Sequence, residues 1–559
     1  MDAVAVLGQE RAATQHGWTI PMSEDLATYD RLRREFRWET PARFNIAEAI
    51  CDRWARAEPG RVAIWTKRTG QALTATTFGE LATASQALAA ALAKRGVRRG
   101  DRIAILLPQS VEAMVAHVAV SRLGGVAMPL ALAFGPDAIS YRMTDSGAAA
   151  LVTNASGLAK LGEIDEPLSD LRVIVCTDGA SGGALDYAAL IAAGGEVLAP
   201  DTTPDDPALM IYTSGTTGAP KGALHGGRVL LGHVPGFRYT HDGFPKEGDL
   251  GWTPADWAWA GGLLNLAMPC LHEGVAVVAQ ATIKFDPAAA FALIEEAGIR
   301  NAFIPPTAMR LMAQVERPRE RFPKMALRTL VSAGERLVEA SYDWSREALG
   351  VQVNEVYGQT ECNYVLASAV SHGVSRAGRT GRPVPGHEVA LFDAEGREVP
   401  PGTPGEIRVR RPDPVMFLKY WNMPEATEEK FSGDWLLTGD QAVMDEDGYF
   451  RFLGRDDDVI TSSGYRIGPS DVEDCLTKHP AVALAAVVGK PDEMRTEIIK
   501  AFVQLKPGVE ATEALGDELK RFVRERLSAH EYPREVAFVD ELPLTTTGKI
   551  IRRELRGRG

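Results

Sequence analysis

Up to residue 358 the chain alternates short, near-continuous apolar runs with longer helical stretches. RIAILL (102–107) is followed by the helix-like SVEAMVAHVAVSRLGG (110–125), then by VAMPL (126–130), AAALVT (148–153) and LRVIVC (171–176). NAFI (301–304), LRTLVSAG (327–334) and VQVNEVYG (351–358) continue the pattern. A strand with no polar face has to be covered on both sides, so these runs predict parallel sheets lying between helices. Between 387 and 454 the texture changes. HEVALFD, GEIRVRR and GYFRFLG alternate more and are separated by Pro/Gly turns, as in a small antiparallel barrel. After GRDDD (454–458) comes a compact α+β segment, with a helix start at PSDVEDCL, strands VALAAVVG and IIKAFVQLK, a helix near 512–528 and a strand REVAFVD. The expected organisation is α/β: an N-terminal domain over 1–455, built from two parallel-type α/β subdomains plus a β-barrel at 387–454, and a small α+β domain over 456–559. A chain of 559 residues is too long for one core, which agrees with this division.

Composition narrows the function classes. A net charge of −13 argues against a nucleic-acid-binding surface and leaves nucleotide binding open, since that needs only local positive charge. Cys51, Cys176, Cys270, Cys362 and Cys475 are far apart, odd in number and lack CxxC spacing, which suggests a reduced, cytoplasmic compartment without structural disulfides. No apolar run reaches the length of a membrane span, and MDAVAVLGQERAA does not read as a signal peptide. The oligomeric state is left open, with a homodimer among the options.

The run YTSGTTGAPKG (212–222) carries the most chemistry. Gly215, Gly218 and Gly222 sit among Thr213, Ser214, Thr216 and Thr217, and Lys221 closes the run. Glycine lets backbone amides approach an anion closely. Successive amides form an anion-binding nest, hydroxyls add donors or a metal contact, and the lysine adds a point charge. The spacing is neither that of a Walker A loop nor GxGxxG. The apolar run ALMIY (208–212) sets the loop at a strand's carboxyl end, where α/β sheets bind ligands. The expectation is a loop that wraps a polyphosphate, against the plainer reading of a Gly/Thr linker. YGQTEC (357–362) follows another strand. A carboxylate there suits magnesium, which takes one carboxylate plus phosphate oxygens, so Glu361 is the candidate ligand, helped by Thr216.

The glycine/threonine loop resembles, position for position, the signature loop of the acyl-adenylate-forming enzymes. These include acyl-CoA synthetases, the adenylation domains of peptide synthetases and beetle luciferases. Four more stretches resemble that family's motifs in order and approximate spacing, over nearly the whole chain. The resemblance implies that Tyr357, Gly358, Gln359 and Thr360 border the nucleotide. It implies that SAGERL (332–337), with Gly334, Glu335 and Arg336, lines the base, and that Asp440 of LTGD (437–440) accepts the ribose hydroxyls. In GRDDDVITSSGYRIGPSDVE (454–473) it implies that Arg455 contacts ribose or phosphate and Arg466 a phosphate. Asp457 is then the hinge of a mobile C-terminal domain, and Gly464 and Tyr465 approach the pantetheine of CoA. In LPLTTTGKIIRREL (542–555) it implies that Lys549 is the catalytic lysine.

Finer resemblance points to an acyl-CoA synthetase of the acetyl and medium-chain type, using ATP, magnesium and CoA. WTPADWAWAGGLLN (252–265) and ARFNIAEAICDRWA (42–55) carry it. Acetyl-specific enzymes have a tryptophan where this chain has Gly358, and valine and threonine where it has Ala260 and Gly261. These exchanges imply an acyl pocket for medium-chain, branched or aromatic acids. Trp257 and Trp259 either shape that pocket or are core aromatics. Three other readings stay open: a ligase loading a carrier protein's pantetheine, a luciferase-like oxygenase, and a non-catalytic nucleotide-binding regulator. A proline at the hinge would stiffen the backbone about which the small domain turns. Asp457→Pro should slow the thioester half-reaction more than adenylation, and unchanged turnover would remove the hinge assignment.

Overall fold

The computed structural model describes residues 28–198, 200–213, 219–281, 285–337, 339–455, 458–462, 465–492, 496–527, 532–545 and 549–558. The apolar runs form the middles of two large sheets. In the eight-stranded sheet, Val126–Pro129, Arg102–Leu106, Ala150–Thr153 and Val173–Cys176 pair in parallel. In the nine-stranded sheet, Asn301–Phe303, Thr329–Ala333 and Val353–Tyr357 do the same. Helices Phe78–Lys94, Val111–Arg122 and Arg228–Thr240 lie in one core that includes Ile105 and Val152 of the first sheet and Ile64, Val277 and Val331 of the second. Residues 113–122 of the middle helix are all buried, as a helix apolar on nearly every side requires, and its one charged member there, Arg122, is paired with Asp52.

Neither sheet is purely parallel, which corrects the expectation from sequence. Pro207–Thr213 runs antiparallel to Lys221–Gly226, and that strand runs antiparallel to the edge pair Lys419–Tyr420. The second sheet is likewise antiparallel at both margins. The physical reason is chain length. Tyr212 sits opposite Gly222 and Thr213 opposite Lys221, and so short a connection can only return antiparallel, whereas a parallel return needs a crossover of a dozen residues or more.

The region expected to be a barrel is a five-stranded antiparallel sheet, with Pro404–Arg410 and Trp435–Met444 at its centre and Phe450–Arg455 on the far side. The C-terminal segment has its own core of Ile460, Val472, Leu476, Val487, Ile499, Leu519 and Val523. Ion pairs join it to the rest. Arg336 lies 2.8 Å from Asp471 and 3.1 Å from Asp474 on helix Pro469–Thr477, and Arg451 also reaches Asp471, at 2.7 Å. Lys478 meets Glu339 at 3.0 Å.

Asp471 takes the nearer share of Arg336. Burial pushes the Asp474 carboxyl from an ordinary 3.8 up to about 7; Arg336 opposes the rise, and the charges of Glu473 and Asp471 add to it. Its folded value therefore lies above its unfolded value. Proton uptake favours the folded state, and this contribution is complete below the unfolded value and lost as pH rises through the folded one. Asp474→Asn, which mimics the protonated form, should flatten the fall in stability across that window, measured by urea unfolding from mildly acid to mildly alkaline pH. An unchanged slope would assign the pH dependence to other groups.

Candidate active site

The site is assembled at strand ends. Thr213 ends one strand and Lys221 opens the next, with the Thr213 hydroxyl 3.4 Å from the Lys221 carbonyl. Ser214, Gly215, Thr216, Thr217 and Gly218 lie outside the described residues. The flanks of this loop are anchored: the Tyr212 hydroxyl donates to Asp145 at 2.6 Å, and that of Tyr141 to the Pro220 carbonyl at 3.0 Å.

Two clusters flank the turn after Val353–Tyr357. In the first, the buried Asp440 carboxylate accepts from the Tyr357 hydroxyl at 2.7 Å and from the Gln359 amide at 2.6 Å, both at Oδ2. Arg455, its partner across the strands, stands 3.9 Å from the other oxygen. Burial raises the Asp440 carboxyl above the usual range, and Arg455, Tyr357, Gln359 and Lys430 oppose that rise. Three of the residues marked by sequence, Tyr357, Gln359 and Asp440, thus form one hydrogen-bonded unit with Arg455 close by, and its carboxylate is oriented to accept hydroxyls. Lys430, 3.5 Å from Gln359 and 3.4 Å from the Thr438 carbonyl, was not found from sequence, because nothing distinguishes it from other helix-end lysines.

In the second cluster, buried Glu361 accepts a hydrogen bond from the Tyr420 hydroxyl at Oε1, and the Lys221 ammonium lies 5.1 Å from the centre of the Tyr420 ring. Among the described residues Glu361 Oε2 takes no hydrogen bond, and no group of three or more His, Cys, Asp or Glu side chains could cage a metal. A single carboxylate with a free oxygen fits magnesium held jointly with phosphate oxygens.

The remaining residues divide. Gly334, at φ +102°, makes the turn after Thr329–Ala333, and Glu335 is held by Thr307 at 2.9 Å and Arg310 at 2.8 Å, two residues that sequence reasoning missed. Arg336 points instead into the ion pairs with Asp471 and Asp474. Thr360 is half-buried in the turn. A Cβ at Gly358 would come within 2.6 Å of both Asn363 Cα and the Tyr364 amide nitrogen, so the backbone itself requires glycine there. Trp257 is buried in the main core, Trp259 packs edge-on against Phe134 at 5.8 Å, Ala260 rests on the core and Gly261 faces the Phe303 ring. Asp457 and Gly464 lie outside the described residues; Tyr465 and Arg466 belong to strand Tyr465–Ile467. Lys549 is exposed, its amide donating to the Thr545 hydroxyl at 3.0 Å. Among the described residues no hydrogen bond or ion pair links it to either cluster.

The family model described as AMP-binding enzyme matches residues 51–421, and that of the AMP-binding enzyme C-terminal domain matches 471–549. The chain belongs to the AMP-binding enzyme family. It is 34% identical to acetyl-coenzyme A synthetase of Bacillus subtilis, covering 96% of each chain. It is 33% identical to the mitochondrial acyl-coenzyme A synthetase ACSM1 of Mus musculus, covering 93% of each. Among solved structures it resembles a benzoate CoA ligase from Burkholderia xenovorans, at 30% identity and a TM-score of 0.81, over 92% of this chain and 100% of that one.

The close approach at Gly358 generates a prediction. Gly358→Ala should strain the turn that carries Gln359 and Glu361 by about 1–3 kcal/mol. It should weaken ATP binding and depress activity on small and large acids alike, measured as kcat/KM over an acid series. A loss confined to larger acids would instead put residue 358 in the acyl pocket.

Proposed function

We propose that the protein is an ATP-dependent carboxylic acid:CoA ligase. The observation that carries this reading is the Tyr357–Gln359–Asp440–Arg455 unit beside Glu361 and Lys221, at the end of the turn from the glycine/threonine loop. A carboxylate acylates poorly because its leaving group would be oxide; joined to AMP it becomes a mixed anhydride with a good one. In the first half-reaction the acid's oxygen attacks the α-phosphorus of ATP in line, and pyrophosphate leaves. In the second, the CoA thiol attacks the acyl carbon, and AMP leaves. Catalysis of the first step is mainly positioning and charge neutralisation. Asp440 would orient the ribose, Lys221 and the loop amides would hold the outer phosphates, and Lys549 would bridge the acid and the α-phosphate. Magnesium bound by Glu361 and Thr216 would neutralise phosphate charge. Among the described residues Lys549 is exposed and bonded only within its own turn, which supports a delivery to the phosphates by a turn of the C-terminal domain about Asp457, with Gly464 and Tyr465 serving the CoA channel in the other orientation.

The acid is one larger than acetate: medium-chain, branched or aromatic. The small side chain of Ala260, where acetyl-specific enzymes carry valine, supports this, and each methylene buried there is worth about 0.8 kcal/mol; Gly261 does not, since a Cβ there would come within 3.0 Å of the Phe303 ring. Gly358 no longer serves that argument, since the backbone accounts for it. Among the described residues no helix is long and apolar enough to cross a membrane, and all five cysteines are free and buried, which suits a reduced cytoplasm.

The direct test is AMP release with ATP, magnesium and CoA over acids from acetate through octanoate to benzoate. A maximum beyond acetate is expected; a maximum at acetate would overturn the pocket argument, and no turnover without a carrier protein would overturn CoA as acceptor. Lys549→Ala should cost the adenylation step about 3–4 kcal/mol or more while leaving thioester formation from synthetic acyl-AMP largely intact. Equal loss of both half-reactions would remove the role given to Lys549.

A further inference from the structure

The segment 416–421 (MFLKYW) matches none of the motifs read from the sequence, yet it touches both Glu361 and the strand that begins at Lys221. Its Met416 bridges to Cys362, and the Phe417 amide donates to the Glu361 carbonyl at 2.8 Å. Lys419 and Tyr420 pair with Leu224 and Ala223, on the strand that starts at Lys221. Tyr420 is buried, its amide donates to the Thr427 hydroxyl at 3.0 Å, and its ring packs edge-on against Phe417 at 4.9 Å. The phenol is therefore held from several sides, and its hydroxyl ends on Glu361 Oε1.

We propose that Tyr420 is a positioning residue that fixes Glu361 as a one-oxygen ligand and thereby selects a small, octahedral divalent cation. The inference rests on the reading of Glu361 as the metal ligand. A hydrogen bond from a neutral donor to a carboxylate is charge-assisted and sets the carboxylate's rotation. With one lone pair of Oε1 engaged, Oε2 is the freer oxygen for a cation, and single-oxygen binding is favoured over bidentate. Magnesium takes carboxylates through single oxygens in near-ideal octahedral geometry, whereas calcium accepts bidentate carboxylates in larger, looser shells. The same ring lies under the Lys221 ammonium, within the range of a cation–π contact, so one side chain sets the spacing between the lysine and the carboxylate.

The test is calorimetric ATP binding to the full chain with EDTA, with magnesium and with calcium, for wild type, Tyr420→Phe, Glu361→Gln and the double variant, each checked for folding by its thermal melt. Tyr420→Phe keeps the ring beneath Lys221 and removes only the hydroxyl. It should leave metal-free ATP binding unchanged and reduce the gain in affinity from magnesium by about tenfold to a hundredfold, as loss of a ligand-orienting partner does. It should also narrow the magnesium-to-calcium preference, and should have no further effect in the Glu361→Gln background. An equal loss with and without metal, or an undiminished magnesium gain, would overturn the proposal. A full magnesium gain in Glu361→Gln would overturn the ligand reading beneath it, a distinguishable result. Where Tyr420→Phe does not fold, Tyr420→His is the second arm. It keeps a ring and an N–H donor, so a gain above that of Glu361→Gln is expected, and a gain as low as in that variant overturns the inference.

Discussion

The most consequential interaction in the molecule is a stretch of edge pairing between Leu224 and Lys419 and between Ala223 and Tyr420. It is extended on both sides by main-chain hydrogen bonds from the amides of Leu418 and Trp421 to the carbonyls of Leu224 and Gly222, each 2.7 Å. Each such bond contributes only about 1 kcal/mol net. Their importance is topological. The antiparallel unit supplies Asp440 and Arg455, the nine-stranded sheet supplies Tyr357, Gln359 and Glu361, and the eight-stranded sheet supplies Lys221. This pairing ties the segment leading into the antiparallel unit to the strand behind the phosphate loop. The indole of Trp421 adds a hydrogen bond to the carbonyl of Asp145 at 3.1 Å, the same residue whose carboxylate anchors Tyr212.

The buried acids of the site share a design. Asp440 and Glu361 are both taken from solvent, and each is given neutral donors rather than a tight ion pair: a phenol and an amide for one, a phenol for the other. Arg455 stays at 3.9 Å from Asp440, and Lys221 faces the ring that holds Glu361 rather than the carboxylate itself. A buried carboxylate closed by a contact salt bridge has little left to offer a ligand, whereas one oriented by neutral donors keeps a free lone pair. Glu335, clasped by Thr307 and Arg310, and Arg336, paired with Asp471 and Asp474, follow the other pattern.

Much of this was legible in the sequence, for physical reasons that also set the limit. Strands buried on both faces announce themselves, as RIAILL, AAALVT and VQVNEVYG do. Polar or glycine-rich strands do not: Thr74–Thr77 is polar and half exposed, and Lys221–Gly226 begins inside the glycine-rich run, so both were passed over. The cluster around Asp440 could be expected because its members lie in short motifs with recognisable spacing. Tyr420 and Lys430 could not, because their roles come from tertiary packing and their local sequence carries no mark of it. Gly358 shows a subtler limit. Its smallness was legible, but the cause, the backbone of Asn363 and Tyr364 pressed against it, belongs to the folded turn.

Arg336 carries a consequence for how the two halves of the molecule communicate. The guanidinium that the sequence marks for nucleotide is, in this arrangement, the anchor of helix Pro469–Thr477. One cation cannot satisfy both partners at full strength. Were Arg336 also to serve the nucleotide, domain docking and nucleotide binding would be linked equilibria, and whichever held the guanidinium would weaken the other by a factor that is the same in both directions. The nucleotide's own binding would then help to unfasten the domain, with no relay of intervening residues.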